Sequence, residues 1–393
     1  MAAHTKPLWR RVMTGRFLRW WACRLLVRIF PPLGRALGFF PDHIGLIEAA
    51  ERILVNETAT IAVEDLAPHM EFLAKCDRQD SRAADCRVPD RVWYGARTVL
   101  IRAPWIDIAT GAILLPEQRT TVLVRGQIAN WNATSVRLGR PRARVAERVF
   151  APRSSRNYFH MLTENGVRVL DLLATPGIAG EPLTIVKQAP SSAVEAAFFE
   201  GVERMHGAVT VREFPRFTMV RCDEAVGHFP RDNHWEWPMI DAGSADRMFA
   251  IFQTIYGEAV DTRYGERLYL TRHGTKLRTP LNEPELESAL QSEGFESFTA
   301  SYENHAEQIA RFRSARIVVG VHGAGLANLL FCRRGTRVIE IFPADFVKST
   351  YWWMARRLRL RYQPVFGDIG DYRQRVRVDI DRVLAALDGQ GDH

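Results

Sequence analysis

The succession of patterns after residue 265 restricts the fold more than any other feature of this chain. Short apolar runs alternate there with helical patterns: strands at 267–271, 295–298, 315–320 and 337–341, and helices at 283–293, 304–314 and 326–331. Such alternation is typical of a parallel sheet with helices packed on its faces. We therefore predict a Rossmann-like sheet in this half, with a ligand bound at the carboxyl ends of its strands.

A glycine-rich turn separates the strand at 315–320 from the helix at 326–331. Its sequence is Gly320-Val321-His322-Gly323-Ala324-Gly325-Leu326-Ala327-Asn328. Glycines let a ligand approach the backbone closely, and a helix N-terminus offers free N–H groups to phosphate. The turn differs from the dinucleotide fingerprint, which needs a glycine where Asn328 stands. We predict a pyrophosphate site in which His322 donates to a phosphate or sugar oxygen, unless this histidine only satisfies loop carbonyls.

Two arginines and a carboxylate extend this candidate site. Arg272 and Arg278 follow the strand at 267–271, and Glu340 lies in the strand at 337–341. Guanidinium groups suit a diphosphate leaving group and can replace a metal, although solvated loop arginines are the open alternative. A carboxylate at the position of Glu340 commonly accepts a hydrogen bond from a ribose hydroxyl. Because no Asp-x-Asp pair lies mid-chain, we expect no metal.

The chain before residue 250 also mixes strands and helices. We predict strands at 92–101, 120–124, 183–186, 208–211 and 218–220, helices at 157–175 and 191–205, and a last helix at 380–387. A linker is expected within 240–265. The predicted units are therefore a basic N-terminal segment at 1–40, an N-terminal acceptor-side domain at 41–250 and a C-terminal donor-binding domain at 251–393.

The net charge of +8 is concentrated in the first 40 residues, which hold eight of the 53 basic residues and no acidic residue. The remaining 45 basic residues equal the 45 acidic ones, so nucleic-acid binding is not expected. In residues 8–30, arginines alternate with tryptophans and leucines, which predicts an amphipathic helix on an anionic membrane surface. A solvated leader and a mitochondrial-type presequence are the alternatives. The five scattered cysteines favour a reducing, cytoplasmic compartment.

Residues across the second half and the helix at 157–175 carry a family resemblance. The strongest runs are Asn157-Tyr158-Phe159-His160 with Glu164, Leu268-Tyr269-Leu270-Thr271-Arg272, the glycine turn continued to Phe331, and Val338-Ile339-Glu340-Ile341-Phe342-Pro343. Over 157–343 the chain resembles glycosyltransferase family 61. The resemblance implies a GT-B fold of two Rossmann-like domains facing a cleft, an inverting reaction and no obligatory metal. It also implies a nucleotide-sugar co-substrate, here expected to be UDP-linked, and no other cofactor.

The resemblance also implies what such an enzyme would do. Its bacterial members are assigned to capsule or surface polysaccharide synthesis, so we expect transfer to a glycan or lipid-linked acceptor. The expected location is cytoplasmic, peripheral at the inner face of the plasma membrane. A non-catalytic nucleotide-sugar-binding or scaffold protein of the same fold is the alternative. An α/β-hydrolase is disfavoured because no G-x-S-x-G nucleophile elbow occurs.

Inversion requires a base that removes the proton of the acceptor hydroxyl. His160 and Glu164 are four residues apart on one predicted helix, so they share a face and could act as base and orienter. An ordinary surface pair is the alternative. The segment His234-Trp235-Glu236-Trp237 offers a rival, with tryptophans to stack on the acceptor sugar around an acidic residue, unless these aromatics only pack in the core.

Overall fold

The computed structural model describes residues 42–45, 48–56, 59–62, 91–94, 97–117, 120–123, 142–152, 157–216, 218–229 and 240–388. The predicted membrane helix at 8–30 and the segment 234–237 lie outside these residues. Within them, no helix is both long and apolar enough to cross a membrane.

The first half of the chain forms a mixed ten-stranded sheet and a separate pair of strands. The strands are β1 (Asp42–Gly45), β2 (Arg52–Asn56), β3 (Ala59–Ala62), β4 (Arg91–Tyr94), β5 (Arg97–Arg102), β6 (Trp105–Asp107), β7 (Ala112–Leu115), β8 (Thr120–Leu123), β9 (Ala143–Phe150), β10 (Leu183–Gln188), β11 (Val209–Phe214) and β12 (Met219–Phe229). The large sheet has the order β1-β8-β7-β6-β12-β9-β10-β11, with β5 also paired to β12 and β2 to β5, while β3 pairs with β4.

The first sheet is only partly Rossmann-like. Its strands β9, β10 and β11 are parallel, and β12 runs parallel to β9. On its other edge β12 pairs antiparallel with β5 and β6, and β6, β7 and β8 form an antiparallel meander. The short connections between β6, β7 and β8 permit only antiparallel pairing, since a parallel crossover needs a dozen or more residues. The expected Rossmann-like arrangement is therefore present in this sheet only across β9, β10, β11 and β12.

Three helices accompany this sheet. They are α1 (158–173), α2 (Ala193–Met205) and α3 (Ala242–Tyr256), and they begin after Asn157, Ser192 and Asp241, whose side chains accept hydrogen bonds from backbone N–H groups of the first turn. Gly201 allows α2 and α3 to cross closely, because a Cβ at this position would lie 2.7 Å from the carbonyl oxygen of Ile251. The linker expected at 240–265 contains α3, and the domain division after residue 250 falls inside this helix. The division itself stays a prediction.

The second half forms the predicted parallel sheet. Its strands are β13 (Arg267–Leu270), β14 (Glu296–Phe298), β15 (Ile317–Val321), β16 (Arg337–Phe342) and β17 (Arg361–Phe366), in the order β14-β13-β15-β16-β17. The helices are α4 (Glu283–Ser292), α5 (His305–Ser314), α6 (Thr350–Leu358) and α7 (Ile380–Asp388), with 3-10 helices at Gly257–Asp261 and Ala324–Phe331. All four strand pairings are parallel, so the predicted sheet is confirmed.

One apolar core joins the two halves. Phe198 of α2 and Met248 of α3 belong to the same buried cluster as Leu270 of β13, Leu326 of the 3-10 helix and Met354 of α6. The other face of the second sheet has its own core, in which Val319 and Ile339 pack beside Leu286 and Val383 of the covering helices. The structure is thus an α/β protein whose two sheets share a continuous hydrophobic interior.

Candidate functional site

The predicted donor residues meet at the carboxyl edge of the second sheet. Strand β13 ends just before Arg272, and β15 ends just before His322. The Nε of Arg278 donates a 2.9 Å hydrogen bond to the carbonyl oxygen of His322. A Cβ on Gly323 would lie 2.9 Å from Cζ of Arg272, and closer still to its Nη1. Two guanidinium groups therefore border the turn at His322 and Gly323.

These two guanidinium groups form no direct ion pair with the described residues. Arg272 donates from Nη2 to the carbonyl oxygen of Leu277 at 2.7 Å, and its buried Nε has no partner. Arg278 donates from Nη1 to Oε1 of Gln374 at 3.1 Å. In the described chain neither guanidinium has a carboxylate oxygen within 4.0 Å. Burial lowers the pKa of both groups, with mutual repulsion adding to it at Arg272, but arginine stays charged in proteins.

The turn itself presents unpaired backbone N–H groups. A 3-10 helix begins at Ala324, two residues before the predicted α-helix, and its tight hydrogen-bond pattern suits a segment this short. The Gly323 carbonyl accepts from the N–H of Leu326 at 3.0 Å and from Tyr351 Oη at 2.7 Å. The N–H groups of Gly323, Ala324 and Gly325 donate to no atom of the described residues. They add to the positive potential of the two arginines.

A buried hydrogen-bonded group lies beneath the turn. His322 Nδ1 is 2.6 Å from Oε1 of Glu340, and Tyr362 Oη donates to Oε2 of the same carboxyl at 2.6 Å. Glu340 has no solvent exposure, so neither oxygen is open to the ribose hydroxyl that the sequence predicted as its partner. It orients the His322 ring instead. Burial, then Arg278 and Arg272, lower the pKa of His322 well below its ordinary value, so the imidazole is neutral near pH 7.

Asn328 has a different position from the one expected of a donor-binding residue. Its side chain is fully buried and accepts a 2.6 Å hydrogen bond at Oδ1 from Tyr158 Oη of α1. Its Nδ2 donates to Oε1 of Gln308 at 2.8 Å and to the carbonyl oxygen of Gly325 at 2.9 Å. Asn328 therefore joins the glycine turn to α1 and α5. Neither Tyr158 nor Gln308 was predicted as a site residue, although Tyr158 lies in one of the family-like runs.

The predicted base and its orienter are in contact. His160 Nδ1 is 2.6 Å from Oε1 of Glu164, and the two side chains are 43% and 32% exposed. Nε2 of His160 has no hydrogen-bond partner among the described residues. Helix α1 changes here from α to π geometry, over Met161–Gly166, before returning to α. Single π turns inside α-helices occur frequently at functional sites.

Tyr351 connects the His160 segment with the donor turn. Its ring centroid lies 5.7 Å from that of Phe159 and 5.4 Å from that of His322, while the rings of Phe159 and His160 are 5.3 Å apart. The first turn of α1 and the glycine turn therefore contact the same aromatic side chain of α6. Tyr351 was not among the predicted site residues, because α6 itself was not predicted.

A cationic glycine turn at the carboxyl edge of a parallel sheet is typical of α/β proteins that bind phosphate-like anions, and the class that the fold defines here is an α/β protein. Within that class, residues 158–339 match the family model described as Glycosyltransferase 61, so this region is similar to that family. No three His, Cys, Asp or Glu side chains of the described residues are placed to hold a metal ion.

Curated relatives from animals match a shorter region. Human protein O-linked-mannose beta-1,4-N-acetylglucosaminyltransferase 2 is 36% identical over 107 residues, which is 26% of this chain and 18% of the relative. The EGF domain-specific O-linked N-acetylglucosamine transferase of Drosophila melanogaster is 35% identical over 98 residues, or 24% of this chain and 18% of the relative. The chain thus aligns with less than a fifth of the length of these relatives.

Proposed function

We propose that the protein is an inverting glycosyltransferase that moves a sugar from a UDP-linked donor to a hydroxyl of a glycan or lipid-linked acceptor. One observation carries this proposal. The guanidinium groups of Arg272 and Arg278, which form no direct ion pair with the described residues, lie beside the unpaired backbone amides of the turn. Charge on the departing nucleoside diphosphate increases as its bond to the sugar breaks. Preorganised cations and N–H groups stabilise such a leaving group most in the transition state.

Helix α1 provides the groups that act on the acceptor. In the proposed step, His160 Nε2 takes the proton of the acceptor hydroxyl as its oxygen attacks C1 of the donor sugar. The bond from C1 to the phosphate oxygen breaks on the opposite face, and its electron pair leaves with the nucleoside diphosphate. Glu164 accepts the Nδ1 hydrogen of His160, orients the ring and stabilises the imidazolium that forms, as carboxylates do for histidine bases elsewhere.

His322 and Glu340 have a supporting role in this scheme. A neutral His322 offers a hydrogen-bonding group beside Arg278 without adding a further positive charge. Its contact with Glu340 at 2.6 Å fixes the orientation of the ring, and Tyr362 fixes the carboxyl. Of the other predicted donor residues, Gly323, Ala324 and Gly325 supply N–H groups, whereas Asn328 holds the turn against α1.

UDP-N-acetylglucosamine is the first donor to test, because the relatives are named as N-acetylglucosamine transferases. We propose a GT-B arrangement, in which the two sheets belong to facing halves and the acceptor enters between them. We also propose that the protein acts in surface polysaccharide synthesis. Residues 8–30 would hold it at the inner face of the plasma membrane. The segment 234–237 remains the proposed acceptor-binding element.

Calorimetry with UDP, together with a transfer assay using UDP-N-acetylglucosamine, tests this function. Arg272→Ala and Arg278→Ala should each weaken UDP binding by roughly one to two decades, the value of one charge-assisted hydrogen bond. Arg204→Ala is the control, since this exposed arginine pairs only with Glu200 on α2 among the described residues. Unchanged UDP affinity in both site variants would contradict the donor assignment. Binding without donor hydrolysis or transfer would favour the non-catalytic alternative.

A further inference from the structure

A second site lies at the opposite edge of the parallel sheet. A cavity of about 510 Å³ opens there, where strands β13, β15, β16 and β17 begin. Its volume lies within the range of roughly 300 to 1,000 Å³ that is typical of ligand pockets. Five arginines and one glutamate supply its charged side chains, namely Arg316, Arg333, Arg334, Arg337, Arg361 and Glu266.

The strand register explains why the arginines gather. Arg337 of β16 is the register partner of Arg361 of β17, and Ile317 of β15, which follows Arg316, is the partner of Arg337. Neighbouring strands are about 4.8 Å apart, so three guanidinium groups begin on adjacent backbones. Arg333 and Arg334 lie on the tight turn before β16, which the Thr336 N–H closes by donating to the carbonyl oxygen of Arg333 at 3.1 Å.

The charges in this cavity are poorly balanced. Glu266 pairs with Arg316 at 2.8 Å. Arg337 donates to the carbonyl oxygen of Leu387 at 2.8 Å and to Gln363 Oε1 at 3.1 Å. The side chains of Arg333, Arg334 and Arg361 make no hydrogen bond or ion pair with any described residue, and all three residues are exposed. Like charges on adjacent strands are destabilising, so this arrangement favours an anion between them.

We propose that this cavity binds a multiply charged phosphate-class anion, either a lipid head group or a soluble polyphosphate. Guanidinium groups recognise phosphate oxygens through paired N–H donors, and several of them around one cavity select for a ligand with more than one negative charge. The five residues of β15 separate this site from the glycine turn by roughly 16 Å, at about 3.3 Å per residue. A ligand here is therefore distinct from the proposed nucleotide and can be bound together with it.

Charge reversal and neutralisation in the full chain test the site. Calorimetry with tripolyphosphate and flotation on phosphatidylcholine vesicles, with and without cardiolipin, whose head group has two phosphates, are compared for R333E/R334E, R333Q/R334Q and the control R221E/R204E. The control reverses two exposed arginines of β12 and α2, in the other half of the chain. Circular dichroism shows whether each variant folds. If R333E/R334E does not fold, R333Q/R334Q, which adds no new charge, still tests whether Arg333 and Arg334 bind the anion.

We expect both cavity variants to lose one tripolyphosphate-binding event, or roughly tenfold or more in affinity at low ionic strength, while the control keeps it. Weaker flotation of the cavity variants than of the control on cardiolipin vesicles, with tripolyphosphate binding kept, would identify a lipid head group as the source of the anion, since any binding through residues 8–30 is common to all variants. Loss of tripolyphosphate binding alone would identify a soluble polyphosphate. If both probes bind the folded cavity variants as they bind the wild type and the control, the proposal is overturned, and UDP binding at the glycine turn is unaffected by that result.

Discussion

Tyr158 and Asn328 are 170 residues apart in sequence and are joined by a 2.6 Å hydrogen bond from Tyr158 Oη to Asn328 Oδ1. This bond connects the first turn of α1, which carries His160, to the glycine turn, which carries His322. Asn328 in turn donates to Gln308 of α5. This polar network therefore joins the two predicted halves of the site, as the Tyr351 ring also does.

Removing the Tyr158 hydroxyl should destabilise the fold. Burial raises the pKa of Tyr158 well above its ordinary value, so the phenol stays protonated and donates. Tyr158→Phe leaves the buried Oδ1 of Asn328 without this donor, which should lower the free energy of unfolding by about 1 to 3 kcal/mol. Tyr372→Phe is the matched control, because Tyr372 is 83% exposed and should change stability by less than about 0.5 kcal/mol. Equal denaturant midpoints for the two variants would contradict the role of the bond.

Gly323→Ala should impair nucleotide binding through Arg272. The backbone of Gly323 is extended, with φ 174°, so alanine adds no backbone strain there. Its Cβ would collide with the Arg272 guanidinium and displace it, which should weaken UDP binding roughly tenfold or more, as expected for a lost charge-assisted hydrogen bond. Gly207→Ala is the control, since a Cβ there meets no atom within 4 Å. UDP titrations of both variants decide the matter, and equal affinities would show that Arg272 does not contact the nucleotide.

Low pH should destabilise the protein through His305. This side chain is 2% exposed, lies among aromatic rings and approaches Tyr256 Oη at 3.2 Å, and burial lowers its pKa to about 3. Below about pH 6.5 the unfolded chain gains a proton that the folded chain does not, so His305 removes about 1.4 kcal/mol of stability per pH unit down to about pH 3.

His305→Phe should therefore reduce the slope of unfolding free energy against pH by about 1.4 kcal/mol per unit between about pH 6 and 4. The variant and the wild type should have parallel slopes above about pH 7.5, where histidine is neutral in both states. Denaturant unfolding across this range is the measurement. Identical slopes at low pH would mean that His305 takes up a proton in the folded state.

Local pattern was sufficient to predict most of the second sheet. Strands β13, β15 and β16 are short apolar runs followed by clear turns, and the structure has them within two residues of the predicted bounds. Helix α6 and strand β17 were not predicted. Helix α6 has nine residues, of which only Arg356 is exposed, and β17 contains Pro364 and lies at the sheet edge.

The sequence predicted those parts of the candidate site that lie on one helix or at the carboxyl ends of parallel strands. His160 and Glu164 are four residues apart on one helix, so their contact follows from helical geometry. The contacts of Tyr351 with the glycine turn, and of Tyr362 with Glu340, join residues of separate elements. Such contacts depend on how α6 and β17 pack against the turn. That packing is a tertiary property, which the spacing of residues along one chain does not encode.

In the proposed mechanism, the arginines and the glycine turn bind the donor, whereas His160 and Glu164 activate the acceptor. The most direct measurement compares UDP affinity with transfer rate in His160→Ala and Glu164→Gln. We predict that both variants bind UDP within about threefold of the wild type but transfer sugar on the order of 100-fold or more slowly, as expected when a general base is lost. Full transfer rates in both variants would contradict the claim and leave Glu236 as the next candidate for the base.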